Sequence, residues 1–359
     1  MNIEKLHEVV FNMEETIVTA TMSKPNEIVM LLSSGNVGRF NLDEQKGTYL
    51  FSVKSSFESS DGGFDLTAKS TIYTLDEIVV VVNDFKRHGI IHYPGKYKAL
   101  DLWRGEYHAN ISRYPIALFK NETNVPHIIY GADWNHLQIM NLDTRQILTA
   151  SKSLIEENAE ERHLEFYKQY PDDNKLPWPR PYDYFFGKLF LSPNQKTFLS
   201  AGWAWGSRDC YKIYDIAQFI NNNRITYSTV GVWEHENRAT CWIDDATIAI
   251  AYNPAIDDEE NATADSTCEI HIHKISTDGI ELEKEIQLTD KLLLKSNMYF
   301  NKTINSFVIS HPKTGLSIIS LNGQVVYKDE NLKVNSYDVE TDLFLTTDDK
   351  TMLVYKIIE

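Results

Sequence analysis

The chain has 359 residues, 42% hydrophobic and 12% aromatic, which is ample for a core and far from a disordered composition. Its formal net charge of −16, with no Lys/Arg cluster against it, excludes nucleic acid and an anionic membrane as expected partners and would suit a basic protein. No apolar run nears the ~20 residues of a membrane span, and the N-terminus, MNIEKLHEVVF, lacks a signal-peptide core.

Three cysteines, Cys210, Cys241 and Cys268, show no CxxC spacing and read as reduced thiols in strands. The expectation is a cytoplasmic monomer without disulfide, cofactor or metal.

Taken in order, the chain repeats one pattern: a turn, an apolar run, then a second short strand. Turn chemistry occurs around Asn26, Asp76, Asn124, Asn194, Asp244, Lys302 and Asp342, spaced by 50, 48, 70, 50, 58 and 40 residues. An apolar run follows each turn: Ile28–Leu32, Ile78–Val82, His127–Tyr130, Thr197–Ala201, Thr247–Ala251, Ser306–Ser310 and Leu343–Thr346.

A further strand is expected after each run: Val37–Leu42, Gly89–Tyr93, Leu137–Leu142, Tyr211–Ile216, Glu269–Ile275, Gly315–Leu321 and Thr351–Ile357. Fourth strands read at Gly47–Val53, Arg145–Thr149 and Gln324–Lys328. A period near fifty fits four strands per unit. The fold class is therefore all-β: seven four-stranded antiparallel blades in one propeller domain over 1–359. The last unit lacks a fourth strand, and Leu6–Phe11 is expected to supply it beside Thr351–Ile357, closing the ring.

Two gaps exceed the period. An insertion at about 151–184, between the third and fourth blades, reads first as a helix opened by a capping box at Ser153-Leu154-Ile155-Glu156 and stopped by Pro171. It then reads as an extended proline-rich segment, Lys175 to Tyr182. An acidic loop at about 254–267 interrupts the fifth blade.

One unit carries motif-level detail. Ser192-Pro193-Asn194-Gln195-Lys196 stands where WD-repeat proteins have a Ser-Pro-Asp-Gly-Lys turn, and Tyr214-Asp215 stands where they have Trp-Asp. The chain thus resembles a non-standard WD-repeat propeller, although it lacks the Gly-His signature and its other units end in Phe40-Asn41-Leu42, Met140-Asn141-Leu142 or Ile319-Ser320-Leu321. The resemblance implies a platform for protein interaction and brings no catalytic residue.

Strands in a blade alternate in direction, so loops from second to third strands emerge on the same face as connectors between blades. Trp134, Trp203 and Trp205 then fall in second-to-third-strand loops, and Trp103, Trp178 and Trp233 in or beside connectors. Six of the seven tryptophans map to one face, with only Trp242 inside a strand. Tyr107, Phe85, Tyr182 and Tyr184 are expected beside them.

Large amphipathic rings are frequent binding hot spots, and they also serve as packing anchors for a lid. Arg208, His235 and Glu236 would supply a polar rim, so the candidate binding set is Trp134, Trp178, Trp203, Trp205, Arg208, Trp233, His235 and Glu236, over blades three to five. Arg208-Asp209 would orient a carboxylate or cap its strand. His271 and His273 share one face of a strand, but no third ligand has a recognisable spacing, so no metal is assigned.

Two function classes follow. The leading one is a non-enzymatic interaction platform using the aromatic face. The alternative is a propeller hydrolase or lactonase with its site at the mouth of the central channel. The starts of first strands offer only a mixed set for such chemistry, including Ser112, Glu236 and Asn297.

Overall fold

The computed structural model describes residues 1–11, 14–54, 62–172, 181–205, 208–232, 237–253 and 266–358. It contains seven antiparallel sheets arranged as a ring of blades. Blade 1 runs from Ile17–Lys24 to Lys46–Ser52, blade 2 from Ser70–Leu75 to Tyr97–Trp103, and blade 4 from Phe185–Leu191 to Ser228–Val232. Blade 5 runs from Thr240–Asp244 to Gly279–Leu293 and blade 6 from Asn297–Asn301 to Val325–Asp329.

The seventh blade closes the ring as expected. Its own strands, Ser336–Asp338, Leu343–Asp348 and Thr351–Ile358, are completed on the outside by Asn2–Val10, which pairs antiparallel with Thr351–Ile358. The pairing begins at Val10 opposite Thr351, and the Phe11 N–H continues it to the Lys350 carbonyl at 2.8 Å.

The core explains why second strands are continuous apolar runs. Ile28, Met30 and Leu32 pack toward blade 7, while Val29 and Leu31 pack toward blade 2. Ile78, Val80 and Val82 face blade 3, and Val79 and Val81 face blade 1. Alternate side chains leave a strand on opposite sides, and in a ring both sides are interior. The buried hydrophobics accordingly form seven clusters, one for each pair of neighbouring blades. Turns between first and second strands use Asp76, Asn124 and Asp342 at φ of 50°, 62° and 59°, a left-handed conformation that Asn and Asp tolerate best after Gly.

Four local expectations change. Blade 3, formed by Ile116–Lys120, Pro126–Asp133 and His136–Asn141, has three strands, and the strand expected over 145–149 is reduced to one bridge between Met140 and Ile147. The edge there is satisfied instead by side chain and loop: the Ile139 N–H donates to Thr149 Oγ1 at 2.9 Å and its carbonyl accepts from Leu148 at 2.8 Å.

The insertion's helix is Ala159–Gln169, starting after Asn158 with no side-chain cap, rather than at Ser153. Residues 153–157 lie against 223–225, with Ser153 and Glu157 N–H groups donating to the Asn223 and Ile225 carbonyls. Several backbone bonds to a neighbouring segment outweigh one capping box.

Asp215, in the Trp-Asp position, caps an unexpected helix, Ile216–Asn221, by accepting from the Gln218 N–H at 2.8 Å. Finally, Trp203 belongs to the second strand of blade 4, Thr197–Ala204, and not to the loop after it. The proline-rich residues 173–180 and the acidic residues 254–265 lie outside the described residues. Among those described, no helix is long and apolar enough to cross a membrane.

Candidate interaction surface

The connector from blade 2 to blade 3, residues 104–115, is wound around one guanidinium. Arg104 is buried; its Nε donates to the Lys86 carbonyl at 2.8 Å and its Nη2 to those of Ala109 and Ser112, each at 2.8 Å. The cation also lies 4.7 Å from the Tyr114 ring centroid. Burial lowers its pKa to about 10, so it stays charged at neutral pH, its desolvation offset by a shell of carbonyls. Gly105 lets this connector approach blade 3: a Cβ there would stand 2.3 Å from Asp133 Oδ1.

Wound this way, the connector turns Tyr107 and Ile111 outward, 48% and 54% exposed, and half-buries His108 between them. His108 packs edge-on against Phe185, Trp203 and Trp205, with ring centroids at 5.2, 5.7 and 5.5 Å.

Phe185 is the centre of the assembly and has no exposed surface. It is paired across the sheet with Trp203, and their rings stack at 3.7 Å with 6° between planes. Trp134 lies 4.4 Å away, and Trp205 meets Phe185 edge-on at 5.2 Å. The edge-on approach of Trp205 suits the charge distribution of aromatic rings. Trp203 Nε1 donates to Ser112 Oγ at 2.9 Å, tying the connector to blade 4. Trp205 caps the pile with half of its surface, 50%, in solvent.

The structure thus brings Trp134, Trp203 and Trp205 into one cluster on the face that strand direction assigns them. Arg208 begins the third strand of blade 4 opposite Ala204, while its side chain lies outside the described residues. Trp178, Trp233, His235 and Glu236 lie outside them too. Trp103, 52% exposed, stands apart under the guanidinium of Arg87 at 4.4 Å.

Tyr182 and Tyr184 do not belong to this surface: both are buried between blades 3 and 4. Tyr184 just precedes the first strand of blade 4 and packs into the core between blades 3 and 4, while Phe185, the first residue of that strand, joins the open pile. Phe185, His108 and Ser112 are the members that sequence reasoning missed. Phe185 reads as an ordinary core residue, and nothing local to the connector signals that His108 folds inward.

Asp209 is a clip. It is buried and accepts the N–H groups of Asn237 and Arg238 at 3.1 and 3.2 Å, fastening the connector between blades 4 and 5. Burial raises its pKa to about 6, against the opposing pull of Arg238. Of the two histidines considered for metal, His271 bonds Glu269 Oε2 at 2.8 Å, and burial lowers the pKa of His273 to about 4.

No family model matches the chain, and no curated protein matches it. Among solved structures the likeness is broad, with 1372 matching chains, so it identifies a fold rather than one activity. One is the WD40 domain of Neurospora crassa Pan2, with 11% sequence identity, a TM-score of 0.56, and coverage of 98% of this chain and 94% of that one. In the WD-like unit, Ser192 accepts the Gln195 N–H through its carbonyl at 2.8 Å, and Gln195 takes the left-handed conformation, φ 58°, where the family turn has glycine. The chain has the seven-bladed β-propeller fold of WD40 domains.

Proposed function

We propose that the protein is a non-enzymatic interaction platform, binding a protein partner through the aromatic surface over blades 3 and 4. WD40-like propellers commonly serve as such scaffolds, which supports this class. The observation that supports this surface is Trp205: a large ring half in solvent, seated on a rigid base of Phe185 and Trp203 and flanked by exposed Tyr107. Pre-organised aromatic rings bind with little loss of conformational freedom. The proposed binding set also includes Trp178, Trp233, Arg208, His235 and Glu236.

The test begins with affinity purification of the full chain from its native cell and identification of the copurifying protein, followed by binding of that purified protein. Trp205→Ala should weaken the complex by about 2 kcal/mol, roughly thirty-fold, with an unchanged melting curve. A partner that binds Trp205→Ala and Tyr107→Ala as tightly as the parent would place the interaction elsewhere.

A further inference from the structure

A second feature of the same face has a different chemistry. Lys69 precedes the first strand of blade 2, Arg113 precedes that of blade 3, and Lys295 precedes that of blade 6, while Lys188 lies within the first strand of blade 4. First strands are innermost, so these cations converge on the axis. Lys188 Nζ donates to Asn297 Oδ1 at 3.2 Å, a contact from blade 4 to blade 6 that bypasses blade 5 and must cross the centre.

Among the described residues one carboxylate stands against them. Asp84 is fully buried; its Oδ1 accepts the Thr71 hydroxyl at 2.6 Å, and its Oδ2 has Arg113 at 3.4 Å and Lys69 at 4.0 Å. Burial lowers the Arg113 pKa, but Tyr73 and Asp84 more than offset it and the net shift is upward, so that charge is held; two signs still point to room for a further acceptor. Arg113 Nε is buried with no acceptor among the described residues. Lys188 has its pKa lowered to about 7, first by burial and then by Arg113, with Lys69 adding to it, despite the opposing pull of Asp84. In a chain of net charge −16 such a local excess of cations is against the trend.

We propose that the mouth of the central channel binds an oxyanion, a phosphate or carboxylate group, between Lys69, Arg113, Lys188 and Lys295. An anion with several oxygens supplies the acceptor that Arg113 Nε lacks and adds one to the Lys188 ammonium beside Asn297, and its charge offsets the cations gathered there. The assignment does not depend on the aromatic surface having a protein partner.

The probes are pyrophosphate and citrate, titrated calorimetrically into the full chain at constant ionic strength set with chloride. At least one should bind. Lys188→Met and Lys69→Met should each weaken it ten-fold or more, while Lys46→Met, exposed on the opposite face, should not. Lys69 has a largely exposed side chain, so its variant keeps the test decisive if Lys188→Met folds poorly. Binding above pH 7 should also take up protons, seen as a dependence of the heat on buffer ionisation enthalpy, because the anion favours charged Lys188. Preference for pyrophosphate indicates a phosphate ligand, and preference for citrate a carboxylate one. The proposal falls if neither probe binds, if Lys188→Met and Lys69→Met bind like the parent, or if Lys46→Met weakens binding as much as they do.

Discussion

Blade 4 carries two aromatic clusters a few residues apart, and they are used in opposite ways. The buried one gathers Tyr182, Tyr184 and Tyr227 around Lys212, with Tyr214 joined through Tyr182. Its polar ends meet one another. The Tyr182 and Tyr214 hydroxyls are 2.7 Å apart, Lys212 Nζ lies 3.1 Å from Tyr182 Oη, and the ammonium sits 3.7 Å from the Tyr227 ring centroid. The Tyr184 hydroxyl donates to the Ser200 carbonyl at 3.0 Å and accepts from the Gly202 N–H at 3.0 Å. The open cluster of Tyr107, Trp134, Phe185, Trp203 and Trp205 has, among the described residues, one side-chain polar tie, Trp203 to Ser112, and ends in half-exposed rings. Aromatic content is similar in the two; what separates packing from presentation is whether the polar tips find partners inside.

The largest expected effect tests the buried side. Tyr184→Ala removes a fully buried ring together with two hydrogen bonds to the neighbouring strand, and should cost about 3–5 kcal/mol in urea unfolding. Gly202→Ala belongs to the same test. Its Cβ would stand 2.3 Å from the Phe185 carbonyl oxygen and 2.4 Å from the Tyr184 hydroxyl, so backbone and not merely a side chain would have to move. A cost below about 1 kcal/mol for Tyr184→Ala would show that the buried cluster is not the anchor of blade 4.

Lys212 gives the comparison a pH signature. Burial is the main cause that lowers its pKa, to about 8; Arg162 adds to this, while Cys210 and Asp183 oppose it, and the three tyrosine rings face the ammonium. The folded pKa lies below the unfolded value, so between about pH 8 and 10.5 the unfolded chain binds more protons. The cost of burying the charge is fully present below pH 8 and is relieved as pH rises through that window. The stability difference between the parent and Lys212→Met should therefore change in the parent's favour from pH 8 to 10, whereas variants of the open cluster should show no such slope. A difference flat with pH would mean that the cage keeps the ammonium as basic as it is in water.

Much of the fold was legible because a ring buries both sides of its second and third strands. Ile78–Asn83, buried along its whole length, reads as an uninterrupted apolar run, and its bounds follow. Outer strands such as Gly279–Leu293, exposed along most of their length, carry no such pattern, and the bridge at Ile147 shows how readily a fourth strand is lost. Strand parity was enough to put Trp134, Trp203 and Trp205 on one face. It was not enough to separate Tyr184 from Phe185, because that depends on which neighbouring blade each side chain meets. The cations of the channel mouth lie far apart in sequence, three in separate connectors and Lys188 within a strand, and only ring closure brings them together.

Trp203 should fall between the extremes. Its ring is half-buried against Phe185, so Trp203→Ala is expected to cost about 2 kcal/mol of stability, less than a fully buried ring. Trp203→Phe keeps the stack and loses the bond to Ser112 Oγ, which isolates a contribution of about 1 kcal/mol.

The smallest effect on stability, and the most informative, belongs to Trp205. The ring meets Phe185, His108 and Trp203 only edge-on and leaves 50% of its surface in water. Removing it uncovers little that the rest of the pile does not already shield. Trp205→Ala should therefore stay within about 0.5 kcal/mol of the parent in urea unfolding, as exposed positions usually do. Tyr107→Ala should behave alike, since that ring is also half in solvent. Measured beside Tyr184→Ala, the pair reads out the contrast directly. If Trp205→Ala instead cost 3 kcal/mol or more, the open cluster would be an anchor like the buried one, its exposed edge would be incidental to packing, and the partner surface would have to be sought around Trp103 or at the channel mouth.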